Sequence, residues 1–336
     1  MKILFVGVLD TDWSTNCSMK HELEELGHTV VDFNYRAVID KYDCNNGSNR
    51  LLEKGVDKLA SLLRSAKVPF NLSWYFFRNG RKRMNELLLE KIKNGGFGLV
   101  LLSKTDTVNY HLIPEINRYS PTWYFFMDPM DQARRINARM YASKATWSSA
   151  TFSDVTEYFK NAGAKACWIT QGVDINVFTP QNTLKIYDVV FAGAKTTKRS
   201  RYINILKKAG VSVVCFGDGW KNSSVYQEEL VDIYRKSRIV LNFCRAGSGF
   251  SIRVFQVMGT GSFLLSEYCK DFDNFFQAEH HLGWFEGDTE LIDKTNYYLK
   301  NESERQRIAT QGSEYVHNNY SWKNIMEKVL NIVSSS

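Results

Sequence analysis

The run Gly249-Phe250-Ser251-Ile252-Arg253-Val254-Phe255-Gln256-Val257-Met258-Gly259-Thr260-Gly261-Ser262-Phe263-Leu264-Leu265 combines a glycine turn, a helix mixing polar with apolar side chains, and a buried strand. A turn that opens a helix presents backbone N–H groups without intrahelical acceptors, and such groups favour a phosphate. Arg253 adds a planar guanidinium that suits a phosphate or a sugar carboxylate, or equally an ion pair within the protein. The apolar strand Ile239-Val240-Leu241-Asn242-Phe243 lies just upstream. The turn therefore falls at the carboxyl end of a strand, where open α/β sheets bind ligands. The guest these residues suit is a nucleotide diphosphate.

Three further constellations carry possible chemistry. Val189-Val190-Phe191-Ala192-Gly193 runs into Lys195, Lys198, Arg199 and Arg201. Basic side chains are disfavoured at a helix N-terminus, so an anion-binding role competes with a plain solvated face. Phe216-Gly217-Asp218-Gly219-Trp220 supplies flexible backbone and one large ring, either as the wall of a nucleobase site or as a glycine turn with Trp220 in a core between domains. Asp10, Asp12 and Ser14 follow the first strand, and Asp128-Pro129-Met130-Asp131 follows Trp123-Tyr124-Phe125-Phe126. A carboxylate from either place could take a proton from an attacking hydroxyl, and aspartate is also a common helix cap.

The elements that must position these groups alternate strand with helix, which implies parallel sheets. Lys2 to Val8, Thr29 to Phe33, Gly98 to Ser103 and Thr122 to Met127 read as strands, with Phe152 and Ala166 to Ile169 completing a first sheet. Ser18 to Leu26 has helical character and stops at Gly27. A second set follows: strand Val189 to Ala192, helix Arg201 to Lys208, strand Val211 to Phe216. Two Rossmann-like halves result. The turn-rich connector Gly172-Val173-Asp174 to Phe178-Thr179-Pro180 separates them, as a hinge does when two domains close on a ligand in the cleft between them.

A chain of 336 residues with 44% hydrophobic and 24% charged content is long enough for two cores. Its formal charge of +7 favours an anionic partner. No recognisable nucleic-acid module appears, which leaves a nucleotide sugar or an anionic membrane surface. The six cysteines, Cys17, Cys44, Cys167, Cys215, Cys244 and Cys269, form no close pair in sequence, the pattern of reduced thiols in a cytosolic protein. Neither they nor the six histidines show metal-ligand spacing, so no metal site is expected. No apolar stretch is long enough to span a bilayer and Met1 to Val8 is too short for a signal peptide, so a cytoplasmic chain is expected. Trp74-Tyr75-Phe76-Phe77-Arg78 to Arg81-Lys82-Arg83 joins aromatics to a basic cluster, either a surface for peripheral contact with the inner face of a membrane or a helix with a buried stripe and a solvated end.

Gly249 to Gly261 with Phe263-Leu264-Leu265 resembles the donor-binding segment of GT-B glycosyltransferases, most closely the CgeB-like group. Lys2-Ile3-Leu4-Phe5-Val6-Gly7 with Leu26 to Val30, Gly172-Val173-Asp174 with Phe178 and Pro180, Val189 to Gly193 leading to Arg199, and Phe216 to Trp220 fit in the same order, and Glu302 to Ile308 and Tyr315 to Tyr320 look like the closing helices. The resemblance implies an α/β GT-B fold. It implies an acceptor-side domain at 1–175, a donor domain at 176–320 and a final helix at 321–336 crossing back to the first domain. It further implies a metal-independent transfer of sugar from a nucleotide-diphosphate donor, with no other cofactor, to a hydroxyl of a glycan, lipid-linked or protein acceptor.

In this reading Arg199 stands where the family places a phosphate-binding arginine, with Lys195 and Lys198 as substitutes. Asp128 or Asp12 takes the acceptor proton. Gly193, Lys195, Gly217, Trp220, Gly249, Phe250, Ser251, Ile252, Arg253 and Gln256 bind the donor. Gln256 replaces a glutamate that accepts from ribose hydroxyls in retaining relatives, and Ser248 stands where they carry another. An epimerase or hydrolase of nucleotide sugars, or a non-catalytic nucleotide-binding protein, would share the fold. A hydride-transferring dehydrogenase is disfavoured, because Val6-Gly7-Val8-Leu9-Asp10 lacks the glycine fingerprint.

Overall fold

The computed structural model describes residues 1–11, 14–43, 59, 78–244 and 248–335. These divide into two compact units, Met1–Trp168 and Ile169–Ser336. Asp12, Cys44 and the aromatic residues 74–77 lie outside the described residues.

The first unit is built on β1 (Lys2–Val6), β2 (Thr29–Phe33), β3 (Leu99–Ser103), β4 (Thr122–Phe126), β5 (Trp147–Ala150) and β6 (Ala166–Trp168). They form one parallel sheet in the order β2-β1-β3-β4-β5-β6. Every residue of β3 and β4 is buried, as parallel strands covered on both faces require, and this is why both read as apolar runs broken only by the terminal Ser103 and Thr122. Leu4, Val100, Tyr124, Phe126 and Phe159 form part of a core packed by Met84 and Leu88 of the helix Arg78–Gly95. β5 is missing from the hydrophobic pattern because its centre is Ser148-Ser149. Both serines are fully buried, and Ser149 Oγ accepts a hydrogen bond of 2.9 Å from the Trp123 indole. Phe152 is not on a strand; it precedes the helix Ser153–Lys160. The basic cluster at 81–83, read either as a membrane-contact surface or as a solvated helix end, is uneven: Arg81 is buried, and Arg83 pairs with Glu86 at 3.1 Å.

The second unit carries β7 (Tyr187–Ala192), β8 (Val213–Phe216), β9 (Ser237–Asn242), β10 (Leu264–Glu267) and β11 (Gly283–Phe285), parallel throughout in the order β11-β10-β9-β7-β8. Val189, Phe191, Leu241, Leu265 and Tyr298 belong to its main core. The two closing helices expected near 302–308 and 315–320 are one continuous helix, Glu302–Asn319. Ser321 and Asn324 cap the last helix, Trp322–Ser334, reciprocally. The connector is pinned there, with Val173 N–H donating to the Tyr320 carbonyl at 2.8 Å and Trp322 N–H to the Val173 carbonyl at 3.1 Å. Among the described residues no helix is long and apolar enough to cross a membrane.

Candidate functional site

In the second sheet, strand order reverses between β7 and β9, and the segments leaving those two strands carry the predicted donor residues except Gly217 and Trp220, which follow β8. Such switch points are where open α/β sheets hold ligands. The loop after β7 is joined to the loop after β8 by direct backbone hydrogen bonds. Gly193 N–H donates to the Phe216 carbonyl at 2.8 Å and Lys195 N–H to the Asp218 carbonyl at 2.8 Å. Gly193 (φ 151°) and Gly217 (φ 132°) adopt conformations that side chains resist, and a Cβ on Gly217 would stand 2.5 Å from the Gly193 carbonyl oxygen. Trp220 completes the lock, its indole N–H donating to that same oxygen at 2.8 Å while the ring meets Phe191 edge to face. The indole is thus committed within its own unit, with Lys195 Nζ 5.4 Å from its ring.

Two guanidiniums converge on this turn. Arg199 donates to the Ala194 carbonyl at 2.7 Å and lies 5.2 Å from the Phe191 ring. Arg253 lies 5.2 Å from the same ring, and its Nη2 comes within 2.6 Å of where a Cβ on Gly193 would be. Any side chain at 193 would displace it. Arg253 makes no ion pair with a described residue. Its Nη1 donates instead to Asn242 Oδ1 at 2.9 Å, so its positive charge is oriented without being neutralised.

Asn242 itself is fully buried and cannot turn over. Ser266 Oγ donates its proton to the Glu267 carbonyl at 2.9 Å, so it can only accept from Asn242 Nδ2, also at 2.9 Å, and Asn242 Oδ1 must face Arg253. The Glu267 carboxylate accepts from Lys198 Nζ at 2.7 Å, Cys244 N–H at 3.0 Å and Tyr202 Oη at 3.3 Å. Sequence reading missed Asn242, Ser266 and Glu267, because each lies at the end of an apolar strand and only the fold brings it to the arginines. It also missed that Cys244 and Cys269 meet where β9 and β10 end. Hydrogen bonding from Cys244 and burial push the Cys269 thiol up, which keeps it protonated.

The helix that follows the glycine turn is short, Arg253–Gly259, and Ile252 before it already has helical angles. Gly249 and Phe250 are buried, and Phe250 packs among Phe255, Phe272, Phe275 and Phe276, so its ring anchors the turn from below. Ser251 Oγ is buried with no hydrogen-bond partner among the described residues. The Gln256 side chain is half-buried and its amide bonds to no described residue. Ser248 donates to the buried Asp271 carboxylate at 3.0 Å, so an acid does reach this turn, from a different position in the chain.

The first sheet also reverses, between β1 and β3, and a cavity of about 400 Å³ opens at that end. Val8 after β1, Tyr35 after β2, Lys104 after β3 and Asp128 after β4 line it. Asn16 ties the end of β1 to the end of β3, with Nδ2 donating to the Val8 carbonyl at 3.0 Å and Oδ1 accepting from Ser103 Oγ at 2.6 Å. Asp128 pairs with Lys104 at 3.2 Å. Burial, with Asp106 nearby, pushes the Tyr35 phenol up, so it stays a donor, to the Lys104 carbonyl at 3.2 Å. Among the described residues no group of three or more His, Cys, Asp or Glu side chains could hold a metal ion.

Residues 199–331 match a family model described as glycosyl transferase-like. No curated protein matches the chain by sequence. Among solved structures, Alr3699/HepE of Anabaena in complex with UDP and glucose superposes with a TM-score of 0.67 at 12% identity, over 100% of both chains. A glycosyltransferase from Rickettsia africae gives 0.64 at 14% identity, over 99% of this chain and 98% of that one. Sucrose-phosphate synthase from Thermosynechococcus elongatus gives 0.65 at 10% identity, over 100% and 99%. At such identities the likeness is one of fold. The chain has the GT-B fold, and its residues 199–331, within the second unit, match the glycosyl transferase-like family model.

Proposed function

We propose that the chain is a metal-independent glycosyltransferase, of the CgeB-like kind, that moves a sugar from a UDP-sugar to a hydroxyl of a glycan, lipid-linked or protein acceptor. The observation that carries this reading is the convergence of Arg199 and Arg253 on the Gly193 turn, at the switch point of a sheet inside a glycosyl transferase-like domain. Negative charge develops on the leaving diphosphate as its bond to the anomeric carbon breaks, and two oriented guanidiniums stabilise that charge more than the ground state. Lys195 adds a third cation. The free amide of Gln256 accepts from a ribose hydroxyl, and the backbone from Gly249 to Ile252 borders the diphosphate. Trp220 supports the site by fixing Gly193.

On the first unit, Asp128 takes the proton of the acceptor hydroxyl, held in place by Lys104. Asp12, outside the described residues, is the second candidate for that role. Cytoplasmic residence belongs to the same proposal and rests on the reduced thiols implied by the cysteine pattern.

A thermal-shift panel of nucleotides and nucleotide sugars, followed by donor turnover in EDTA, tests the reading. UDP and one UDP-sugar should stabilise the protein, and turnover should survive the chelator. Loss of turnover in EDTA with recovery in magnesium would overturn metal independence. Stabilisation without transfer to any acceptor would favour a hydrolase or a binding protein.

A further inference from the structure

A second cavity, of about 420 Å³, adjoins the first on the amino-terminal unit and shares Asp106, Arg135 and Ile136 with it. Its remaining wall is Asn109, Tyr110, His111, Asn137 and Tyr141. Each chamber falls within the range of about 300–1,000 Å³ typical of small-molecule sites. The partition between them is braced by hydrogen bonds. Tyr35 Oη donates to the Lys104 carbonyl at 3.2 Å and Tyr141 Oη to the Asp106 carbonyl at 3.0 Å, so two buried phenols hold the loop after β3 from below. Burial and the nearby Asp106 push the Tyr141 phenol up, which preserves it as a donor.

Three polar side chains in this wall are unspent. The Asp106 carboxylate, the Arg135 guanidinium and the His111 imidazole take no hydrogen-bond or ion-pair partner among the described residues, and Asp106 and Arg135 do not pair with each other. An acid and a guanidinium that face one cavity unpaired discriminate between ligands. A phosphate would be repelled by Asp106 and a cation by Arg135. A sugar hydroxyl donates to one and accepts from the other. The rings of Tyr110 and Tyr141, edge to face at 5.5 Å, offer apolar surface to the C–H face of the same sugar.

We propose that this chamber is a subsite for a neutral sugar one unit removed from the reacting hydroxyl, so that the acceptor is at least a disaccharide, with its reacting unit in the Asp128 chamber. The assignment rests on the glycosyltransferase reading above. It is tested by comparing transfer to the methyl glycosides of glucose, galactose, mannose and N-acetylglucosamine, and to methyl glucuronide, with transfer to the matching neutral disaccharides.

The wild-type enzyme should favour one disaccharide over its methyl glycoside by about tenfold or more in kcat/KM. His111→Ala and Asp106→Asn should each reduce that preference at least about threefold, and His111→Ala should leave methyl glycoside turnover unchanged. Equal use of both acceptor lengths by the wild-type enzyme, retention of the preference in both variants, or a methyl glucuronide favoured over every neutral acceptor would overturn the subsite. Absence of UDP binding and of any donor turnover would instead overturn the glycosyltransferase reading, and the subsite with it.

Discussion

The two sheets end in different ways, although both reverse strand order at the place where a ligand belongs. In the second unit that end is closed by backbone contact between Gly193 and Gly217, braced by the Trp220 indole, and the charge lying over it is guanidinium. In the first unit the same end is open, a cavity lined by acids, bases and phenols, with Asp128 already paired to Lys104. A diphosphate is a fixed, highly charged group that many donors share, so a preformed cationic cradle suits it. An acceptor is a shape with scattered hydroxyls, and a roomy wall of mixed polarity suits that. Under the proposed function, one architecture supports two kinds of recognition, according to what its loops present.

Substitutions separate the two ends. Arg253→Ala and Arg199→Ala should each lower turnover by about a hundredfold or more while the protein stays folded, the scale of losing one preorganised charge partner. Full activity in either well-folded variant would remove that arginine from the donor site. Asp128→Asn should lower transfer by a similar factor, about a hundredfold, yet leave UDP affinity untouched, as calorimetric titration can check. If UDP binding weakened as well, the division of labour between the units would be wrong.

Gly217→Ala should destabilise the protein by about 2–3 kcal/mol, because the methyl group meets the Gly193 carbonyl in a conformation that alanine resists. An unchanged denaturation midpoint would break the claim that backbone contact closes this end. Gln256→Ala should weaken UDP binding by about 1 kcal/mol, one neutral hydrogen bond, and Gln256→Glu should weaken it less. Unchanged affinity in the alanine variant would sink the ribose assignment.

The smallest effect lies away from both ends. His281 stacks on Tyr315 with ring centroids 4.0 Å apart and accepts from Gln277 N–H at Nδ1, and burial, with His280 nearby, lowers its pKa. The folded state therefore prefers neutral imidazole. Its contribution is present above the usual histidine value of 6.5 and is lost as pH falls below that, towards the lower folded value. The pH dependence of stability between pH 7.5 and 5 should be flatter for His281→Phe than for wild type, and an identical slope would exclude His281 as a source of the dependence.

Much of this molecule was legible in its residues. Largely apolar runs such as Leu99–Ser103 and Thr122–Phe126 announce buried parallel strands, and helix-like segments between them set the α/β architecture, because hydrophobic period is a local property of the chain. The glycine turn near Arg253 and the basic run at Lys195 to Arg199 were likewise visible as candidate anion sites. What the sequence could not contain was which groups meet. Trp147–Ala150 is a strand because its serines find hydrogen bonds in the interior, an outcome that only packing decides. Asn242, Ser266 and Glu267 look like ordinary strand ends until parallel register sets Asn242 beside Ser266 and turns its oxygen towards an arginine eleven residues further on. Trp220 reads as a ring available for stacking, and the fold assigns its N–H to Gly193. Local sequence sets element type through propensity and periodicity. Partnership between side chains distant in sequence depends on register and on which loops share a sheet end, and only the tertiary structure decides those.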